Sequence, residues 1–227
     1  MATPIGNLED ITLRALRVMR EVDLIAAEDT RRTGKLLSHY SICTPLTSYH
    51  DHNKERRTPR LVEGLLKGSS IALVSDAGTP GISDPAYYLV RRCLDRGVPV
   101  VPVPGPSAVA AALSAAGLPT NRFSFEGFLP PKGEKRRRRL MALREERQTL
   151  VLYESPYRVI RLLGEIAEVM GDREVAIARE LTKLHEEFIR GRAGELAERL
   201  KGRKITGECV VLIRGLSSRE KPSGEGA

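Results

Sequence analysis

With 227 residues, 41% of them hydrophobic, the chain can form one large domain or two small ones with a buried core, while 4% aromatic content and no Trp argue against a platform stacking several bases. The net charge of +8 suits a polyanion such as nucleic acid, and it is concentrated: residues 131–148, "PKGEKRRRRLMALREERQ", hold eight Lys/Arg against three Glu. Three scattered cysteines (Cys43, Cys93, Cys209) without CxxC argue against a disulfide framework or zinc cluster, and with no signal-peptide layout or apolar run of roughly 18 residues the expected setting is the cytoplasm.

From residue 9 helical and strand patterns alternate. "DITLRALRVMREV" has apolar residues at helical spacing, with Asp10 or Thr12 as N-cap; "LIAAED" (24–29) is a short strand and "TRRTGKLLSHY" a helix. "TPLTSYH" (44–50) is rich in strand formers, and "RLVEGLLKG" ends a helix at Gly68. "SIALVS" (70–75), a helix near 85–96, the strand "VPVVPV" (98–103) and an Ala-rich helix over 106–116 complete the first half. This alternation predicts a mainly parallel sheet with helices on both faces. "GLPTNRF" (117–123) marks the boundary between an N-terminal α/β domain, 1–117, and a C-terminal one, 118–216. The second half places strands at "FSFEGFL", "TLVLYES", "EVAIAREL", "EEFIRG" and "ECVVLIRG", with helices near 134–147, 156–170 and 193–201. Several short connectors there predict a mixed sheet. Residues 217–227 read as a disordered, solvated tail.

In a doubly wound sheet, ligands sit beyond the carboxyl ends of the strands. "SDAGTPGISDP" (75–85) leaves one such end with two glycines that let backbone approach a ligand, and Asp76 and Asp84 offer carboxylates. A tight turn with Asp84 as N-cap explains the stretch equally well, but "PVPGPSA" (102–108) and "ATPIGN" (2–7) repeat the device, and three such loops favour a pocket. No G-x-G-x-x-G occurs, and "RRTGKLL" departs from a Walker loop, with Asp29 at the first glycine's place and Leu36 after Lys35. Glu28, Asp29, His50, Asp51 and His52 lack the spacing of a metal site; capping and a polar wall account for them. Glu154, Arg158, Arg179, Glu180, Lys183 and His185 fall at strand ends of the second half, where salt bridges or catalysis would each explain them. Four consecutive arginines on a helix sweep about 300° around its axis, so Arg136–Arg139 cannot share one face. With Lys132 and Lys135 they are candidates for phosphate-backbone contacts, the alternative being a solvated basic turn.

Taken in order, "ATPIGNLEDITLRAL", "AAEDTRRTGKLL", "SYHDHN", "SDAGTPGISDP", "VPGPSA", "GFLPPKG", "LYESPYR" and "ARELTKLHEE" resemble the ribosomal-RNA-modifying branch of the tetrapyrrole methylase superfamily, from residue 2 to about 215. The resemblance implies S-adenosylmethionine as methyl donor, the 2′-hydroxyl of a decoding-site cytidine in 16S rRNA as acceptor, two α/β domains with the donor in the cleft between them, and a homodimer acting on the small ribosomal subunit. It implies donor contacts at Pro4 and Gly6, at Asp76, Ala77, Gly78, Ser83 and Asp84, at Ser107 and Ala108, and in the second half at Leu152, Tyr153, Ala178, Arg179, Gly207 and Glu208. Deprotonation of a ribose hydroxyl falls to Glu28, Asp29, Glu180 or Lys183, with Arg31 or Lys35 stabilising the alkoxide. His50 and Arg158 join the basic run as RNA contacts, and the chemistry requires no metal. Members of the family usually carry a short apolar strand before "ATPIGN", and this chain starts at Met1 with none: either the start is truncated or the sheet lacks that strand, and without it the first loop is expected to be less firmly anchored. Methylation of a tetrapyrrole, or RNA binding without catalysis, are the rival readings.

Overall fold

The strand "LIAA" sends alternate side chains to opposite faces, and this organises the first half of the chain. In the computed structural model, which describes residues 1–216, β1 (Leu24–Ala27) lies between β2 (Leu46–Ser48) and β3 (Ile71–Val74), both parallel to it. The register pairs Ile25 with Ala72 and Ala27 with Val74. Those four residues share one core with Ala15 and Met19 of α1 (Leu13–Glu21) and Leu36 and Leu37 of α2 (Thr30–His39). On the other face Ala26 packs with Tyr49, with Leu61 and Val62 of α3 (Lys54–Leu66), and with Leu89 and Cys93 of α4 (Ala86–Asp95). Helices therefore cover both faces, as the alternating pattern predicts.

Caps fix where these helices begin. Thr12, not Asp10, caps α1, its hydroxyl accepting from Ala15 N at 3.1 Å. Asp29 caps α2 by accepting from Arg31 N at 2.8 Å. The strand expected over 98–103 does not form. Pro99 and Pro102 have no N–H to give a ladder, so the segment crosses the edge as irregular chain.

The chain separates into two compact units, Met1–Ser107 and a second starting at Ala108. Helix α5 (Ala108–Ala115) groups with the second unit, where it packs on β8 (Cys209–Ile213), so the division precedes "GLPTNRF". The second sheet has the order β4 (Phe123–Phe128), β5 (Thr149–Glu154), β8, β6 (Glu174–Arg179), β7 (Glu187–Arg192). Only β4 and β5 are parallel; the other pairs are antiparallel, which makes the sheet mixed. Helices α6 (Gly133–Ala142), α7 (Val159–Met170) and α8 (Ala193–Arg199) contribute Leu140, Leu163, Ile166 and Leu196 to a core that includes Leu152, Ile177 and Val211 of the sheet. No helix among the described residues is long and apolar enough to cross a membrane. The tail expected over 217–227 lies outside the described residues.

Candidate functional site

Because β1, β2 and β3 run parallel, Glu28, Tyr49 and Ser75 emerge at one edge of the sheet. That edge is stitched through polar atoms. Asp29 N donates to Asp76 Oδ1 at 2.8 Å, Asp76 N to Glu28 Oε2 at 3.4 Å, and Tyr49 N to Ala27 O at 2.7 Å.

The three Gly/Pro loops meet there. Thr3 and Gly78 bond reciprocally, Ala2 N donates to Val103 O at 3.1 Å, and Thr79 Oγ1 donates to Pro106 O at 3.1 Å. Gly78 has φ +80, and a Cβ on it would sit 3.4 Å from Ile5 Cγ2. At Gly105 a Cβ would lie 2.9 Å from that of Ala2, so glycine permits the close approach of the first and third loops. These bonds anchor the loop bearing Pro4 and Gly6. Pro4 is half-buried, whereas Gly6, Ala77, Gly81 and Ser83 are exposed, the last with φ +66. Asp84 fastens its own loop, its carboxylate accepting from Gly81 N at 2.8 Å and Ala86 N at 2.8 Å. Ser107 and Ala108, both half-buried, end the first unit and open α5.

Beside these loops lies a cavity of about 150 Å³, bounded by Thr3, Pro4 and Leu8, by Arg32 and Lys35 of α2, and by Ser75 and Asp76. Thr3 and Arg32 were not singled out in the sequence; the signal for Arg32 was its i,i+3 spacing to Lys35. The carboxylates at this edge differ in state. Burial, together with the charges of Asp76, Asp84 and Asp51, raises the pKa of Glu28 above the ordinary 4.5. Asp29 is held well below the usual carboxylate range by the Arg31 side chain and by backbone N–H groups of α2. Arg31 is committed to that carboxylate at 2.8 Å.

In the second unit, the register sets Glu154 and Arg179 on either side of Cys209 at one end of the mixed sheet. Leu152 and Ala178 are fully buried in the ladder, so only their backbone lies near that end. Burial raises the pKa of the Tyr153 phenol, whose ring meets Phe125 edge-on. Glu154 Oε1 accepts from Ser155 N and Arg158 Nε, each at 2.7 Å, which engages Arg158 within the fold. Arg179 donates to Thr206 O at 3.1 Å and Glu187 at 3.1 Å.

Glu180 folds over Gly207, where a Cβ would fall 2.3 Å from its carboxyl carbon. Lys183 bridges Glu180 at 2.8 Å and Glu208 at 2.9 Å. Burial alone would lower the Lys183 pKa, but these two carboxylates raise it, and Lys183 in turn lowers that of Glu180. Glu180 and Thr182 hold φ of +50 and +65, a turn disfavoured for side chains with a Cβ.

The arginine run divides by environment. Arg136 is 1% exposed and forks onto Glu165, with Pro131 O as a third acceptor at 3.1 Å. It therefore leaves the set expected to face phosphate, and its spacing to Leu140 and Leu143 is the helical core period that signals this. Arg137 pairs with Glu168, both exposed, and the exposed Arg139 pairs with the half-buried Glu126, while Arg138 approaches Glu134 at 3.6 Å. Lys132 and Lys135 are exposed. His50 is half-buried, with Nε2 3.1 Å from Asn53 Nδ2, and its ring lies 6.0 Å from that of His52. Among the described residues no group of three or more His, Cys, Asp or Glu is placed to hold a metal ion.

Residues 2–197 match the family of tetrapyrrole (corrin/porphyrin) methylases. The chain is 50% identical to a Thermotoga maritima protein named ribosomal RNA small subunit methyltransferase I, covering 95% of this chain and 96% of that one. A Vibrio cholerae protein of the same name is 52% identical, over 94% of this chain and 75% of its own. Among solved structures, a diphthine synthase superposes with TM-score 0.74 at 17% identity, covering 94% of this chain and 88% of the other. A uroporphyrin-III-C-methyltransferase from Thermus thermophilus gives TM-score 0.66 at 21% identity, covering 94% and 91%.

Proposed function

Since the chain belongs to the family of tetrapyrrole (corrin/porphyrin) methylases, we propose that it methylates RNA of the small ribosomal subunit, at the 2′-hydroxyl of a decoding-site cytidine, with S-adenosylmethionine as donor. The observation that carries this reading is about 50% identity, over nearly the full chain, to relatives named for that RNA class. A homodimer acting in the cytoplasm belongs to the same proposal.

The loop residues suit such a donor. Exposed Ala77 and Gly81 leave the peptide uncovered, positive φ at Gly78 turns it, and the Asp76 carboxylate is half-exposed for a hydroxyl. When bound, the donor supplies an activated methyl group. The chain's part is alignment, worth several kcal/mol when the acceptor oxygen is held in line. Pro4, Gly6, Ser83, Asp84, Ser107 and Ala108, with backbone at Leu152, Tyr153, Ala178, Arg179, Gly207 and Glu208, complete the proposed donor contacts.

A ribose hydroxyl must lose its proton, and Glu28 is the base we assign. Its carboxylate is half-buried, raised in pKa, and free of any ion pair among the described residues. Asp29 is occupied in capping and with Arg31, and Glu180 with Lys183, so both serve as positioning groups. Lys35 supplies the positive charge that balances the developing alkoxide. Lys132, at the N-cap of α6, with Lys135 and Arg138 on the helix, forms the proposed phosphate-facing surface, and His50, beyond the end of β2, is a further proposed RNA contact.

The test is methyl transfer from labelled S-adenosylmethionine to 30S particles lacking the modification, run beside a uroporphyrinogen and a corrinoid acceptor. Label confined to one cytidine ribose of 16S rRNA is the expected result. Label on a macrocycle, or binding of RNA without label, would overturn the reading in favour of one of its rivals.

A further inference from the structure

The cavity beside the 75–78 loop holds two cations that methyl transfer alone does not need together. Arg32 and Lys35 stand three residues apart on α2, so both project from one helix face into the same space of about 150 Å³. Neither is tightly held. Arg32 reaches Asp76 Oδ2 only at 3.7 Å, beyond hydrogen-bond distance, and Lys35 has no ion pair among the described residues. Their neighbour Arg31 is bound to Asp29 at 2.8 Å, and Arg136, Arg137 and Arg139 are each bound to a glutamate.

The other walls differ in chemistry. Pro4, Leu8 and Leu36 are apolar, and Asp76 presents a carboxylate whose Oδ1 already accepts from Asp29 N. A ligand matching the cationic and apolar walls has an anionic group and a compact ring. We propose that this cavity binds one ribose-phosphate unit of the RNA strand. The phosphodiester lies against Arg32 and Lys35 and the sugar against Leu8 and Leu36, while Pro4 and Asp76 remain with the donor. Arg32 is then a substrate-positioning residue, and Lys35 both faces that phosphate and balances the acceptor oxygen. This rests on the reading of the protein as an RNA ribose methyltransferase. The donor also carries a ribose and an anionic carboxylate, so the experiment must separate the two sources.

Arg32→Gln, Lys35→Gln, the double variant and Arg32→Lys are compared with wild type in the full chain. Calorimetry reads S-adenosylmethionine affinity, a single-stranded oligoribonucleotide titrated at several salt concentrations reads RNA contact, and 30S particles give KM and kcat. The expected outcome is donor affinity within twofold of wild type, RNA affinity about tenfold weaker in the double variant, and a log–log salt slope shallower by about 0.7. Arg32→Gln raises KM more than it lowers kcat, and Arg32→Lys restores the salt slope. Tenfold loss of donor affinity would assign the cations to the donor's carboxylate and overturn the proposal. So would an RNA affinity and salt slope unchanged in the double variant. If wild type binds the oligonucleotide through Arg32 yet methylates no 30S particle, the enzymatic reading fails while the subsite stands. Both side chains are solvent-accessible, so the variants are expected to fold with urea midpoints matching wild type.

Discussion

Thr3 and Gly78 each donate a backbone hydrogen bond to the other, both at 3.0 Å, forming a two-residue antiparallel bridge between the loop that opens the chain and the loop that follows β3. Gly78 holds φ +80 at the bridge, and a Cβ on it would meet Ile5 at 3.4 Å.

Gly78→Ala places a Cβ in the left-handed region, at a cost of about 1–2 kcal/mol. We expect a lower urea midpoint and weaker S-adenosylmethionine binding by calorimetry, because both bridged loops shift. Donor affinity equal to wild type would remove this loop from the donor site.

Glu28→Gln tests the base. The substitution should lower turnover about 10²–10⁴-fold with donor affinity retained. Because the folded pKa lies above the ordinary 4.5, Glu28 contributes stability that is complete below that value and is lost as pH rises through the folded pKa. The glutamine variant should therefore lose stability less steeply than wild type over that rise. Equal pH profiles of stability and equal turnover would reject both statements.

Arg136→Ala leaves Glu165 buried with only Arg161, at 3.0 Å, in place of its inner partner. Breaking a buried pair costs about 3–5 kcal/mol. Urea unfolding should show a loss of that order for Arg136→Ala and little change for the exposed Arg138→Ala. Salt-dependent RNA binding should respond in the reverse sense, more to Arg138→Ala.

Gly207→Ala drives a Cβ into Glu180 and so displaces the carboxylate that holds Lys183. The expected loss is about 2 kcal/mol in unfolding, with slower turnover. A fully active variant of normal stability would show that the Glu180–Lys183 arrangement is dispensable.

Burial pushes the Cys209 thiol up to about 11, whereas Cys43 is exposed. Iodoacetamide at neutral pH should modify Cys43 and spare Cys209 until the chain is unfolded. Equal rates at both would mean that this end of the mixed sheet opens in the native protein.

Most elements were legible because their apolar periods are strong: "LIAA", "IALV" and "CVVLI" lack internal prolines and read as buried strands. "VPVVPV" carried the same apolar signal, but its two prolines outweigh strand propensity. The strand-end positions of Glu28, Asp76 and Gly78 followed from alternation and parallel order. What could not be read was how charges are partnered. Asp29 looks like Glu28 in sequence, yet one caps a helix and the other lies half-buried without an ion pair among the described residues. The arginine run looks uniform, and only its phase relative to Leu140 and Leu143 singles out Arg136. The division before α5 is not legible in the sequence, because "GLPTNRF" has the composition of a linker, whereas the packing of α5 on β8 is a long-range fact.

The small parallel sheet separates framework from business end. Strands β1 and β3 give their side chains to the two cores, while the loops at one rim are tied to one another by backbone and carboxylate bonds. A change at a rim residue that makes one of those bonds therefore reaches the framework as well.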